Sequence, residues 1–313
     1  MHRSTTNIVC FLLFSAIIFA RCSPACADAT LKVITSIFPF QEFAREVGKE
    51  LVDVHLLLPP GVEAHSWEPA PSDILKVSKA DVFIYVGAGM EPYINNILRG
   101  AADKQIAVID ASKIVPLLNG EPHHVHETND THHHSGPDPH LWLDLDNDIK
   151  IVKKIAEIFS SKAPQKSGFF TRNAELYIKK LKSLDAMYIQ TLKLCNSRSF
   201  VFGGHAAFGY LAKRYSLSQI PLYGINPDSE PTPARLAKLV KTARQEGVKY
   251  IYFEEMVSDK LARVIAQEIG GITLVLNPGV NLTKKQTNHG TTFLNIMMQN
   301  LENLKKGLGC DNR

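Results

Sequence analysis

A chain of 313 residues with 45% apolar side chains is long enough for one large or two ordinary domains, and too apolar for a disordered protein. Its formal charge of +4 is modest, and no Lys/Arg run with interleaved aromatics occurs, so nothing argues for a nucleic-acid partner. The charges read as ordinary solvated surface.

Arg3 precedes an apolar run over residues 8–20, and Ala25-Cys26-Ala27 gives a small-x-small cleavage pattern, so residues 1–27 are expected to be an export signal. The run falls short of the roughly 20 residues that a spanning helix needs. Phe-Ala-Arg before Cys22 and Ser-Pro-Ala before Cys26 are poor lipoprotein signals, so a free periplasmic product starting at Asp28 is expected over a lipid-anchored one. Removal of the signal leaves Cys195 and Cys310. In an oxidising compartment they form one disulfide or remain two buried thiols, and sequence alone does not place their Cα atoms.

The mature chain alternates short β-branched runs with helical patterns. Residues 31–37, 52–58, 82–86 and 107–110 read as strands, and residues 39–48 and 71–80 as helices, with Pro59-Pro60-Gly61 and Gly87 as stops. From 165 to 194 there is no proline, and Phe170, Ala174, Tyr177, Leu181, Leu184 and Tyr188 recur at spacings of four and three, which predicts one connecting helix roughly 40 Å long. Such a strut should restrict hinge closure. The second half repeats the grammar: strands over 199–202, 248–253 and 273–276, helices over 206–215 and 259–269. Glu68-Pro69-Ala70-Pro71 before one helix is echoed by Glu230-Pro231-Thr232-Pro233 before another, where Thr232 is a credible N-cap with proline at the first helical position. The predicted fold is α/β: two similar lobes with parallel-type sheets flanked by helices. The N-terminal lobe spans 28–164, the connecting helix 165–194 and the C-terminal lobe 195–313.

Seven of the 12 histidines fall within residues 121–144: His123, His124, His126, His132, His133, His134 and His140. Between His123 and His134 the only large apolar residue is Val125, so the tract at 121–136 cannot bury itself and is expected to be an exposed loop holding metal weakly. Three histidines stand apart from it. His65 follows the strand at 52–58, His140 follows the tract, and His205 follows the strand at 199–202 within a glycine turn. Ligands of open α/β sheets bind beyond the carboxyl ends of strands, so these three can converge in the cleft between lobes. Each alone would more often be a structural residue.

In HSWEPAPSD at His65, DPHLWLD at Asp138, GGHAAFGYLAKRY at Gly203, EPTPARLAKLV at Glu230, YIYFEEMVSDKLARVIAQEIG at Tyr250 and LVLNPGV at Leu274, the chain resembles the metal-binding solute-binding proteins of bacterial ABC importers for zinc and manganese. The resemblance covers most of the mature chain, in the expected order. It implies two lobes joined by a rigid helix, one metal in the cleft held at His65, His140 and His205, delivery to a membrane permease, and no enzymatic role. Manganese-type members commonly carry carboxylates at the position of His205 and in a Leu-Asp-Pro motif; here the latter is Asn277. Three imidazoles without an obvious carboxylate suit tetrahedral Zn²⁺ better than Mn²⁺. Glu63, Glu230, Glu254, Glu255, Asn277 or water could supply a fourth donor. Similar histidine-rich loops occur in zinc-type members, where capture and delivery, zinc sensing, or a tolerated insertion would each account for one.

The expected function is therefore capture of periplasmic Zn²⁺ by a monomer that hands it to an ABC permease. An exported zinc hydrolase is the rival from another class. His65-Ser66-Trp67-Glu68 lacks the two-histidine helical spacing of HExxH, and Pro69 argues against a helix there. A manganese-binding or adhesin member of the same family is the remaining alternative.

Overall fold

The computed structural model describes residues 30–100, 105–119, 136–222, 224–225, 232–255 and 259–310. The expected export signal, His123, His124, His126, His132, His133, His134 and Glu230 lie outside them. The first lobe runs β1 (Leu31–Thr35), α1 (Phe38–Gly48), β2 (Val52–Leu56), α2 (Pro71–Val77), β3 (Val82–Tyr85), α3 (Ile94–Gly100) and β4 (Ala107–Asp110). Two long helices follow, α4 (Leu145–Lys162) and α5 (Ser167–Leu192). The second lobe runs β5 (Ser199–Phe202), α6 (Gly209–Arg214), β6 (Ser218–Pro221), α7 (Pro233–Gln245), β7 (Tyr250–Phe253), α8 (Lys260–Ile269) and β8 (Ile272–Val275), then α9 (Lys284–Asn288) and α10 (Phe293–Leu308).

Both sheets are parallel and share one topology, β2-β1-β3-β4 in the first lobe and β6-β5-β7-β8 in the second. Parallel strands need helical crossovers, which cover both faces of each sheet and explain why β3 is buried along its whole length. The period of two then sorts side chains between two cores. In β3, Val82 and Ile84 point into a large inner core while Phe83 and Tyr85 join an outer one with Ile97. In the second lobe Phe200, Phe202 and Tyr252 face the inner core, and Val201 and Ile251 pack outward on Leu239 and Ile265. The inner core is common to both lobes, so opening them about α5 would expose it to water.

Helix α5 supplies its centre. Phe170, Ala174, Tyr177, Ile178, Leu181, Leu184, Tyr188 and Leu192 form its buried stripe, and at 26 residues it is about 39 Å long. Tyr177 donates to Glu42 Oε1 on α1 at 2.7 Å, and Tyr188 donates to the Met297 carbonyl on α10. Arg214 joins Asp144 at 2.9 Å and Asp185 at 2.6 Å, tying α6 to the start of α4 and to α5.

Cys195, just past α5, and Cys310, just past α10, are joined in a disulfide. It closes a loop of 115 residues that contains the second lobe, a constraint worth about 5 kcal/mol in the chain-entropy account.

One helix start differs from its expected position. Helix α6 begins at Gly209 rather than 206, because the amide of Ala206 bonds the Gly224 carbonyl at 2.8 Å and that of Phe208 bonds Gln219 Oε1 at 3.1 Å. Those bonds hold the segment after His205 as a turn. Thr232 does cap α7, accepting from Arg235 N, with Pro233 at the first position.

Candidate metal centre

Three chain segments bring imidazoles to one point. His65 lies in the loop between β2 and α2; His140 sits at the turn Leu141–Leu143 before α4; His205 leaves β5 through Gly203 and Gly204. The glycines are steric necessities, since a Cβ at Gly203 would meet Ala262 Cβ at 2.8 Å and one at Gly204 would meet the Phe202 ring at 2.6 Å. The loop of His65 carries little secondary structure of its own and is braced by the segment after β8. Asn281 Nδ2 donates to the carbonyls of Pro59 at 2.7 Å and Val62 at 3.0 Å, and Gly61 N donates to the Leu282 carbonyl at 2.9 Å. The same segment accepts the indole N–H of Trp142 at Pro278 O, 2.7 Å, and the amide of Phe38 at Val280 O, 3.0 Å. One strap from the second lobe thus fixes the surroundings of both first-lobe histidines.

His65 Nε2 and His140 Nε2 are 3.2 Å apart, as are His205 Nε2 and His140 Nε2. Among the described residues these three form the group of His, Cys, Asp and Glu side chains able to hold a metal, with donor atoms within 4.8 Å of one another. His140 is 1% exposed and His205 5%; His65 is partly buried. The outer nitrogens of His140 and His205 face carboxylates. Asp138 Oδ1 takes both the backbone amide and Nδ1–H of His140, at 2.9 and 2.8 Å. Glu254 Oε2 stands 3.3 Å from His205 Nδ1, an ion-pair contact rather than an aligned hydrogen bond. A carboxylate at Nδ1 holds the proton there and leaves the Nε2 lone pair for the cleft, the usual way a protein orients a metal-binding imidazole.

The spacing fits a particular geometry. Metal–nitrogen bonds of about 2.0–2.1 Å around a tetrahedral ion place neighbouring donors about 3.3–3.4 Å apart, close to the observed 3.2 Å. Hydrogen bonding accounts for at most one of the two contacts, because His140 Nε2 carries no proton when Nδ1–H serves Asp138, and its single lone pair can accept from only one neighbour. Glu63, Met90, Glu254, Pro278 and Val280 complete the wall of a space of about 10 Å³, room for one water-sized particle.

The electrostatics separate the three rings. Burial, with His140 and His205 alongside, pushes the pKa of His65 down to about 2. Burial also disfavours the cation of His205, but the carboxylates of Glu254, Glu63 and Asp138 together, Glu254 foremost, outweigh it and the pKa lies above the ordinary imidazole value. His65 is therefore a neutral donor throughout the physiological range, and His205 is where protons and metal compete.

Of the candidate fourth donors, Glu63 lines the cavity, with Oε2 accepting from Ser66 N at 3.0 Å and Ser66 Oγ at 3.2 Å. Glu254 lines it from behind His205. Asn277 is not placed to coordinate, since its Oδ1 takes the Gly279 amide at 2.7 Å and its backbone is held by Asn300. Glu255 turns outward to Gln286 Nε2 at 2.8 Å. Sequence reasoning missed Asp138 as a partner of His140, although an acid two residues before a histidine was the available signal. It missed Asn281 and Pro278 altogether, because a brace from another lobe leaves no local pattern. Glu91 was also missed. Its buried carboxyl takes the amides of Val86 at 2.8 Å and Gly87 at 3.0 Å beside Met90, and burial pushes its pKa up to about 7.

Comparison with known proteins places the chain in a family. The "High-affinity zinc uptake system protein ZnuA" of Bacillus subtilis (strain 168) is 38% identical over 280 residues, covering 89% of this chain and 88% of that protein. The "Zinc-binding lipoprotein AdcA" of Streptococcus pneumoniae (strain ATCC BAA-255 / R6) is 38% identical over 282 residues; the match covers 90% of this chain and 56% of AdcA, so the chain spans little more than half that relative's length. Among solved structures, the Zn(II)-bound ZnuA-like domain of Streptococcus pneumoniae AdcA aligns with a TM-score of 0.77 at 36% identity, over 90% of this chain and 99% of that domain. The family model "Zinc-uptake complex component A periplasmic" matches residues 33–307. With that match over most of its length, the chain belongs to the ZnuA family of zinc-uptake components.

Proposed function

We propose that the protein captures Zn²⁺ outside the cytoplasm and delivers it to the membrane permease of an ABC importer, binding the ion at Nε2 of His65, His140 and His205. It is a transport component and not an enzyme, as its family is. The observation that carries the site assignment is the convergence of three Nε2 atoms, two of the separations being 3.2 Å, with carboxylates behind His140 and His205. Three imidazole donors in a space also walled by Met90, Pro278 and Val280 favour a borderline ion that accepts four donors over Mn²⁺, which seeks more and harder oxygens. Glu63 or a water is the fourth donor. The relatives' names as zinc-uptake and zinc-binding proteins support the same cargo. Export to the periplasm, the monomeric state and the division at 28–164, 165–194 and 195–313 belong to this proposal, as do weak accessory sites at the six tract histidines. Among the described residues no helix is long and apolar enough to cross a membrane.

Metal analysis of protein purified without chelators, followed by competitive Zn²⁺/Mn²⁺ titration, tests it. One tightly held zinc that excess Mn²⁺ does not displace is expected. Absence of a tight equivalent, or displacement by Mn²⁺, would overturn the reading.

A further inference from the structure

The residues flanking the histidine-rich tract lie side by side. Asp138 N donates to the Leu118 carbonyl at 2.8 Å, and Asn119 pairs with Pro137 in an antiparallel bridge. Onto this base the second lobe delivers the start of α6. The Tyr210 hydroxyl accepts from the Leu118 amide at 2.9 Å and donates to the Asp138 carbonyl at 3.1 Å. Tyr210 is 3% exposed, and burial pushes its hydroxyl up to about 12, so it remains a donor at neutral pH. One residue earlier, a Cβ on Gly209 would meet Asp138 Oδ2 at 2.6 Å. No left-handed backbone conformation requires glycine there; the reason for it is the close approach of the carboxylate.

Asp138 is thus held on both sides. Oδ1 takes the amide and Nδ1–H of His140, Oδ2 abuts Gly209, and the backbone carbonyl takes Tyr210. We propose that Gly209 and Tyr210 are positioning residues of the metal centre, setting from the opposite lobe the carboxylate that aims His140 at the zinc. The inference rests on His140 being a zinc ligand. It adds that the rotation of its ring is fixed by a contact between lobes rather than within the first lobe. Groups behind a metal-binding histidine typically govern about 10–100-fold in affinity, and a 2.6 Å approach gives that carboxylate no room to yield to an added methyl without turning.

The test compares wild type, Gly209→Ala, Tyr210→Phe and His140→Ala as full chains. Three quantities are measured: Zn²⁺ affinity by chelator competition, the visible ligand-field spectrum of the Co²⁺-loaded protein, and melting of the metal-free protein. Gly209→Ala should weaken zinc binding by about 10–100-fold and Tyr210→Phe by about three- to tenfold, both with altered Co²⁺ bands. Tyr210→Phe keeps the ring and its packing, so its metal-free melting should stay near wild type. Should Gly209→Ala fail to fold, Tyr210→Phe decides alone. Affinity within twofold of wild type and an unchanged Co²⁺ spectrum in every folded variant would overturn the inference, because a merely structural role lowers melting and leaves the bands in place. If His140→Ala keeps the tight site, the zinc assignment itself falls, and this inference with it. Wild-type-like Gly209→Ala and Tyr210→Phe beside a defective His140→Ala, or Tyr210→Phe alone where Gly209→Ala does not fold, sink the positioning role and leave the zinc assignment standing.

Discussion

The two lobes share one strand order but present their histidines in opposite ways. In the second lobe, His205 leaves β5 directly, on a turn whose glycines are wedged against Ala262 and Phe202. In the first, His65 sits on a loop braced by hydrogen bonds with Asn281 and Leu282 of the other lobe. His140 is intermediate, with its own Asp138 close by and Trp142 tethered across the cleft to Pro278. A repeated sheet delivers chain to the same edge twice, and the precision of the site comes from what each loop leans on. The first-lobe side of the centre is therefore a product of the interface, whereas the second-lobe side is built into its own strand.

Removing the rings themselves should have the largest effect. His140→Ala and His205→Ala each delete a donor and leave a buried carboxylate facing the gap, so each is expected to lower zinc affinity by about a thousandfold or more, measured by chelator competition. His65→Ala should also abolish tight binding. Retained tight binding in any one would take that ring out of the site.

Next in size is the brace. Asn281→Ala removes two hydrogen bonds, taking the donor of the Val62 carbonyl and leaving Pro59 O with the Val62 amide alone, a loss of about 1–3 kcal/mol. Where that loss falls on ordering His65, affinity drops by about tenfold or more, with the His205 side undisturbed. A Co²⁺ spectrum and affinity identical to wild type would show that the first-lobe loop holds itself.

Proton competition is the next lever, and its sign follows from the rings. His205 has a raised pKa, so metal-free protein carries a proton there below that value, and zinc must expel it. Affinity should be flat at alkaline pH and fall by about tenfold per pH unit on acidification, starting above the ordinary imidazole value near 6.5. His65, with its pKa near 2, adds no proton in that window. Glu254→Gln should move the onset to lower pH; an onset that stays put would show that Glu254 does not set it.

Asp148 gives a smaller effect on stability. It is fully buried, and neither carboxyl oxygen has a hydrogen-bond partner among the described residues. Burial, with Asp144 and Glu42 adding repulsion against the attraction of Arg214, holds its pKa well above the ordinary carboxylate value. A raised folded pKa means that stability is full below the unfolded value near 3.9 and is lost as pH rises through the folded one. Asp148→Asn should therefore raise the melting temperature at neutral pH and flatten its pH dependence. An unchanged or lower melting temperature at pH 7 would contradict this.

Much of this was legible because helix and strand periods differ. The 3.6 period over 165–194 located α5 within two residues at each end, and the strands of both lobes were visible as β-branched runs between glycine and proline stops. The edge strand Ser218–Pro221 was not, since two polar residues and a proline in four give no strand pattern. The convergence of His65, His140 and His205 was an inference from strand ends and from family likeness, and the geometry supports it. Asp138, Asn281, Gly209 and Tyr210 escaped because they act on residues far away in sequence, and one chain carries no trace of who leans on whom. The disulfide between Cys195 and Cys310 needed coordinates for the same reason.

X-ray absorption at the zinc edge of the full chain loaded with one equivalent reads directly whether three imidazoles hold one zinc. A four-coordinate ion with three imidazole nitrogens at about 2.0–2.1 Å and one oxygen is expected, with the loss of one imidazole in each of His65→Ala, His140→Ala and His205→Ala. A six-coordinate, oxygen-rich shell, or a spectrum unmoved by these substitutions, would contradict it.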